Sequence, residues 1–178
     1  MRNFITLMAA ASVVFSCEMG AYAQQQNPLP VASDVLVRYG DDIEGWTVYA
    51  NKTRGDCLIV HDYGPDAMGA VQMGVTQNDR EVGYLGVFTK ADIGIKSGTQ
   101  SPIFVSIGGK LYGGVVTSTK AEGGYSGGYI LTEDPDFKRA VAKQYEMIVF
   151  PETVGAFVVD LKGTFRAMAA GRKCLTGN

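Results

Sequence analysis

The chain has 178 residues, 46% of them hydrophobic and 19% charged, with a formal net charge of −2. That balance excludes wholesale disorder, and without a basic excess it argues against nucleic acid as a partner. The length fits one domain of ordinary size with a real core.

Residues 1–23 read as a secretory signal peptide. Arg2 supplies the positive end, residues 4–15 an apolar run, and Ala21-Tyr22-Ala23 a small-x-small site with cleavage expected before Gln24. The run is too short to span a bilayer, and no later stretch approaches ~20 continuous apolar residues, so the mature chain is expected to carry no transmembrane helix. Cys17 in Val14-Phe15-Ser16-Cys17 offers a competing route, lipidation, but bulky Phe15 and the downstream Ala-Tyr-Ala site count against it. The expected location is periplasmic or secreted. Export leaves two cysteines, Cys57 and Cys174, and an even pair in an oxidising compartment predicts one disulfide, with two unrelated buried thiols as the alternative. A single histidine and no clustered cysteines disfavour zinc, and no cofactor is predicted.

Residues 24–34 open with the polar, proline-broken Gln-Gln-Gln-Asn-Pro-Leu-Pro stretch and are expected to form a flexible arm. Residues 35–178 then form a single β-rich domain. Short β-branched and aromatic runs separated by glycine and polar turns predict strands over 46–50, 57–62, 69–76, 82–88, 103–107, 111–117, 128–131, 147–150 and 156–161. Gly108-Gly109 suits a two-residue hairpin at positive φ, and residues 77–80 a polar link. Twenty-three glycines, nearly twice the usual ~7%, follow no period and fit a β domain with many tight corners. Two helices interrupt the strands. Asp134 caps the first, Pro135 opens it, and Phe137, Ala140, Val141, Gln144 and Tyr145 form its apolar stripe. Thr164 caps the second, with Phe165, Met168 and Ala169 on one face and Arg172 and Lys173 suiting its negative end. The predicted fold class is mainly β, an antiparallel sandwich or half-barrel with two short packed helices.

Gly124-Tyr125-Ser126-Gly127-Gly128 matches the G-x-S-x-G pattern of serine hydrolases and is similar to the G-D-S-G-G segment of chymotrypsin-like proteases. A nucleophile elbow needs a strand before the serine and a helix after it. Here the strand-like residues follow the serine, which favours a glycine-rich hairpin. His61, the lone histidine, is the only imidazole a Ser126 mechanism could use, and a strand-end position suits a hydrogen-bonded residue equally well. Glu133, Asp134 and Asp136 form the densest acidic group, better explained as a cap and first-turn charges than as a cation site. Tyr112, Tyr125 and Tyr129 are candidates for a flat surface contacting glycan or protein, against ordinary packing on a sheet.

The order of features resembles a known family. A Trp-led strand, Gly45-Trp46-Thr47-Val48, is soon followed by a cysteine-bearing strand. The chain ends in an apolar strand, Leu161-Lys162-Gly163-Thr164-Phe165-Arg166-Ala167 and an alanine-rich helix. This resembles the invasion-associated locus B family of small exported alphaproteobacterial proteins, over 46–174. The resemblance implies a β-rich periplasmic or envelope-associated protein, linked to host-cell entry in some pathogens, and brings no catalytic residues with it. The chain departs from the pattern in lacking an extra cysteine near the Trp-led strand and a mid-chain cysteine pair. The favoured reading is an exported non-enzymatic binding or structural module of the bacterial envelope, with an envelope protein or glycan as partner. The alternatives are a small serine hydrolase using Ser126 and His61, or an inhibitor or immunity-type partner of an exported enzyme.

Overall fold

Alternation of apolar and polar residues at period two commits a strand to one buried face, and here it builds two antiparallel sheets rather than one. The computed structural model describes residues 31, 33–63, 65–75 and 83–177. The leader, most of the 24–34 arm and the 77–80 link lie outside the described residues. Asp34, at the end of the arm, is held: its carboxylate accepts from the Asn51 side chain at 2.8 Å and pairs with Arg54 at 3.6 Å.

The strands are β1 (Leu36–Arg38), β2 (Thr47–Asn51), β3 (Asp56–Tyr63), β4 (Gly69–Val75), β5 (Gly83–Thr89), β6 (Gln100–Ile107), β7 (Lys110–Thr117), β8 (Thr119–Lys120), β9 (Ser126–Thr132), β10 (Glu146–Val149) and β11 (Phe157–Asp160). The helices are α1 (Pro135–Lys143) and α2 (Thr164–Gly177). The large sheet runs β1-β2-β3-β4-β5-β9-β8 and the small one β11-β10-β6-β7; neither closes on itself. All nine strands expected from the sequence are present, with ends shifted by a few residues. At the β6–β7 hairpin, Ile107 pairs with Lys110, and Gly108 and Gly109 take φ of 58° and 78°, the two positive values a two-residue turn of this hand requires.

Register fixes which side chains face inward. Val48, Ile59, Met73, Leu85 and Ile130 lie in one cross-strand row on the large sheet, and all are buried. Ile103, Val105, Met147 and Val149 answer them from the small sheet. The sheets meet where β9 passes β6 and β7. A Cβ on Gly128 would stand 2.8 Å from Ile103 Cδ1 and 2.9 Å from Val116 Cγ2, so only glycine allows this approach.

α1 begins as expected, with the Asp134 side chain accepting from the Asp136 amide at 2.8 Å and Pro135 following the cap. Its apolar stripe is shorter than expected. The helix stops at Lys143, Gln144 turns to extended backbone, and Tyr145 is 81% exposed, because its carbonyl accepts from Leu161 and the chain there enters β10. α2 also rolls differently from its sequence stripe. Its buried line is Thr164, Ala167, Gly171 and Cys174, Met168 and Ala169 lie at the flank, and Phe165 is 61% exposed. Small residues win this face because the helix sits low over β2 and β3: a Cβ on Gly171 would reach Ile59 Cδ1 at 3.1 Å.

Cys57 on β3 and Cys174 on α2 form a disulfide across 117 residues, with Cα atoms 6.2 Å apart, inside the usual bridging range. Such a loop constrains the unfolded chain by about 4–5 kcal/mol in the chain-entropy account. Reduction should therefore lower the melting midpoint by several degrees. Melts with and without reductant, beside alkylation and peptide mapping, test this; two freely alkylated cysteines in native protein would sink the bridge.

Candidate functional site

Two helices on one face of a sheet leave a space where neither covers it fully. α2 lies against β2 and β3, and α1 contacts α2. Between them and the ends of β4 and β5 opens a cavity of about 330 Å³. Its floor is sheet, from Ile59, Met73 and Leu85, and its walls are helical, from Phe137, Val141 and Met168. Cys57 of the disulfide lines it, as does Gly171, whose missing side chain is part of the space. The volume sits at the low end of the roughly 300–1,000 Å³ of small-molecule sites. The lining is apolar except at Thr132, Lys138, Arg172 and Tyr84; among the described residues no acid lines it.

The sequence-predicted residues fall elsewhere. His61 is enclosed by aromatic rings: it stacks on Tyr63 at 3.9 Å between centroids and meets the edge of Trp46 at 5.0 Å, while its Nδ1 contacts the Asp62 carbonyl at 2.8 Å. Trp46 is fully buried and its indole donates to the Lys162 carbonyl at 3.1 Å. Ser126 opens β9, paired with Thr89 on one side and Lys120 on the other. Register carries His61 through Val71 and Val87 to Gly128, two residues past Ser126. Three strand spacings and two residues separate the pair by roughly 15 Å. The hydrolase alternative is therefore overturned: the structure brings no imidazole to Ser126, and the serine stands within the ladder rather than on a strained strand-to-helix turn. The glycines of its motif have packing reasons. Gly124 takes φ +84° before the strand, and a Cβ on Gly127 would lie within 2.8 Å of Phe88 Cα.

The three tyrosines do not form one surface. Tyr112 lies on β7 and stacks on Phe137 of α1 at 4.7 Å, with the Lys110 ammonium 4.9 Å from its ring centroid. Tyr129 lies on the outer face of the large sheet, donates to Gln72 at 2.9 Å and meets Tyr84 and Phe88 edge-on. Tyr125 precedes β9 and donates to the Ala67 carbonyl, under the Lys90 ammonium. They are separate packing elements: Tyr112 belongs to the small sheet, Tyr129 to the large one and Tyr125 to the turn before β9. In the acidic group, Asp134 is occupied as the cap and Asp136 with Arg139 at 2.8 Å.

Sequence reading missed the cavity, whose lining comes from four strands and both helices. The available signal was the run of small residues on α2, which marks close approach and the gap beside it. It also missed the polar group of Asp34, Arg54 and Asp56, in which Arg54 is almost fully buried and its Nε lies 3.3 Å from Asp56.

The fold is shared with a solved structure. Invasion associated protein B from Bartonella henselae superposes with a TM-score of 0.53 at 12% identity, covering 80% of this chain and 99% of that one. At that identity the likeness is one of fold. No family model matches the chain, and no curated protein matches it.

Two outcomes follow from these placements. Ser126→Ala should leave folding and biological activity nearly unchanged, and a fluorophosphonate probe should not label the protein. Labelling at Ser126 that is abolished by His61→Ala would restore the hydrolase. The second concerns alkaline pH. Burial, then the nearby Asp160 charge, raises the Tyr63 phenol; burial and Tyr129 raise Tyr84; and burial pushes Tyr129 up to about 12. Unfolded phenols ionise near 10, so the unfolded chain releases these protons first. Stability should hold below pH ~10 and fall above it by about 1.4 kcal/mol per pH unit per phenol, for Tyr129 up to about 12. Urea unfolding between pH 9 and 11.5 reads the slope, roughly a range spanning the phenol titration. Tyr129→Phe should make it shallower, and an unchanged slope would refute the assignment.

Proposed function

We infer that the chain is an exported, non-enzymatic binding module of the bacterial envelope, related to the invasion-associated locus B family, with the cavity under the two helices as its binding site. The cavity carries the reading. It is apolar, lined by sheet residues on one side and by α1 and α2 on the other, and braced by the disulfide between β3 and α2. An apolar space with a few polar groups at its edge suits recognition of a small ligand. Support for export comes from the leader-like residues 1–23, from a cysteine pair suited to an oxidising compartment, and from the fold shared with the Bartonella protein. Among the described residues no helix is long and apolar enough to cross a membrane.

Mass spectrometry of protein recovered from the periplasm tests both halves. Under denaturing conditions the mature chain should begin at Gln24; a diacylglyceryl mass on Cys17 would replace the soluble form with a lipoprotein. Under native conditions a fraction should carry a small molecule that is lost on denaturation. Recovery only as unprocessed cytoplasmic chain would overturn the export reading.

A further inference from the structure

The small sheet has a second face, turned away from the core, and strand register gathers apolar residues on it. Val158, Ile148, Ser106 and Leu111 form one cross-strand row, followed by Phe104 beside Gly113 and by Pro102 beside Val115. Their neighbours along the strands, Val159, Met147, Val149, Val105 and Ile107, point the other way and are buried. Phe104, Leu111, Val115, Ile148 and Val158 are between 38% and 68% exposed, and Pro102 is exposed with them. Those fractions leave on the order of 500 Å² of largely apolar surface in one patch, a size that marks an interaction site. Beside Phe104 the face has a dent. Phe150, just past the end of β10, takes φ +51°, is 3% exposed and lies against Phe157, so its ring is withdrawn from the outer side.

We propose that the protein forms a symmetric dimer through this face, small sheet on small sheet, with β11 of each copy over β7 of the other. The face is complementary to its own image. A two-fold axis along the strands reverses the strand order β11-β10-β6-β7, so Val158 meets Leu111 of the second copy and Ile148 meets the small Ser106. The same operation sets Phe104 of each copy over the dent that Phe150 leaves in the other. Area agrees: with the small and polar positions between the apolar ones, two copies bury up to about 1,400 Å², inside the range of stable interfaces. Charge turns an anionic lipid surface away, because the only charged outward positions on these strands are Glu146 and Asp160, opposite each other at one end. In the dimer both stand at the rim, and the centre is apolar, as homodimer interfaces are. Residues 24–30 of the same chain are a poor cover: they reach at most about 25 Å, and their apolar members are Pro28, Leu29 and Pro30 alone.

Sedimentation equilibrium of the oxidised chain, from about 1 to 200 μM, tests this over the range of micromolar affinities. A monomer–dimer equilibrium should appear with a dissociation constant in the micromolar range. Leu111→Lys and Val158→Glu each put a charge into the apolar interface and should weaken association about tenfold or more. Both positions are exposed, so the circular dichroism spectrum and melting midpoint of each variant should stay close to those of the parent monomer. Mixed in equal amounts, the two variants should associate again, since the introduced charges then face each other with opposite sign. Phe165→Ser, on the exposed side of α2, should leave association unaltered. A chain that stays monomeric at the highest concentration would overturn the dimer, as would a dimer that neither charge weakens. Weakening by both variants without recovery in the mixture would overturn the proposed strand order. A monomer that dimerises only on Leu29→Asp would give the face to the N-terminal arm and remove the second copy as its partner.

Discussion

The close seat of α2 on β2 and β3 sets the geometry of everything around it. Ala167, Gly171 and Cys174 present almost no side chain to the sheet, so the helix approaches until Ile59 fills the room a Cβ on Gly171 would need. Three links then fix its position and roll. Trp46 donates to the Lys162 carbonyl just before the helix, Glu44 pairs with Arg166 at 2.8 Å on its first turn, and the disulfide joins its last turn to β3. Gly163, at φ +82°, makes the corner, with Glu44 and the Ile43 carbonyl so near that any Cβ there would collide. The start and end of the domain are thus one structural unit, even though more than a hundred residues intervene, and the hydrophobic burial of the first strands depends on the last helix.

The cavity is a consequence of that seat. A helix lying low over β2 and β3 cannot also cover the ends of β4 and β5, and α1 bridges the remainder at a distance set by Phe137 and Val141. Close packing at one end of a sheet therefore leaves an apolar opening at the other, lined among the described residues by β3, β4, β5, β9 and both helices. The disulfide lies at the boundary between the two regimes, where Cys57 belongs both to the buried core and to the cavity lining.

How much was legible in the sequence depends on whether the signal was local. The nine strands were readable because β-branched and aromatic runs bounded by glycine and polar turns are written in each segment by itself. β1 was not, since Leu36, Val37 and Arg38 are all exposed and show no alternation, and β8 has only two residues. The α1 cap was readable from Asp134-Pro135, whereas its end was not, because the pairing of β10 and not helix propensity decides where Gln144 turns. The face of α2 was misread for a related reason. Phe165 and Met168 are the larger apolar residues, and periodicity weights size, but tight packing over Ile59 selects the small ones. The cavity was invisible because it belongs to no segment.

The glycine-rich stretch shows the same division between local pattern and long-range cause. Gly74 and Gly86 lie under the rings of Tyr84 and Tyr129, whose side chains cross to the neighbouring strands and cover backbone that would otherwise face water. A Cβ at either glycine would meet those rings at 2.5–2.6 Å. Aromatic cover over a strand glycine protects the ladder hydrogen bonds and restores the apolar area the glycine lacks. This explains why glycines on β4 and β5 stand opposite tyrosines on β5 and β9, a pairing that in the bare sequence looks like a catalytic turn beside a sticky surface. Tyr84 and Tyr129 occupy the outer face of the large sheet, where Tyr84 is buried and Tyr129 half-buried. The opposite face, with its helices unevenly seated, is the one that carries the apolar cavity.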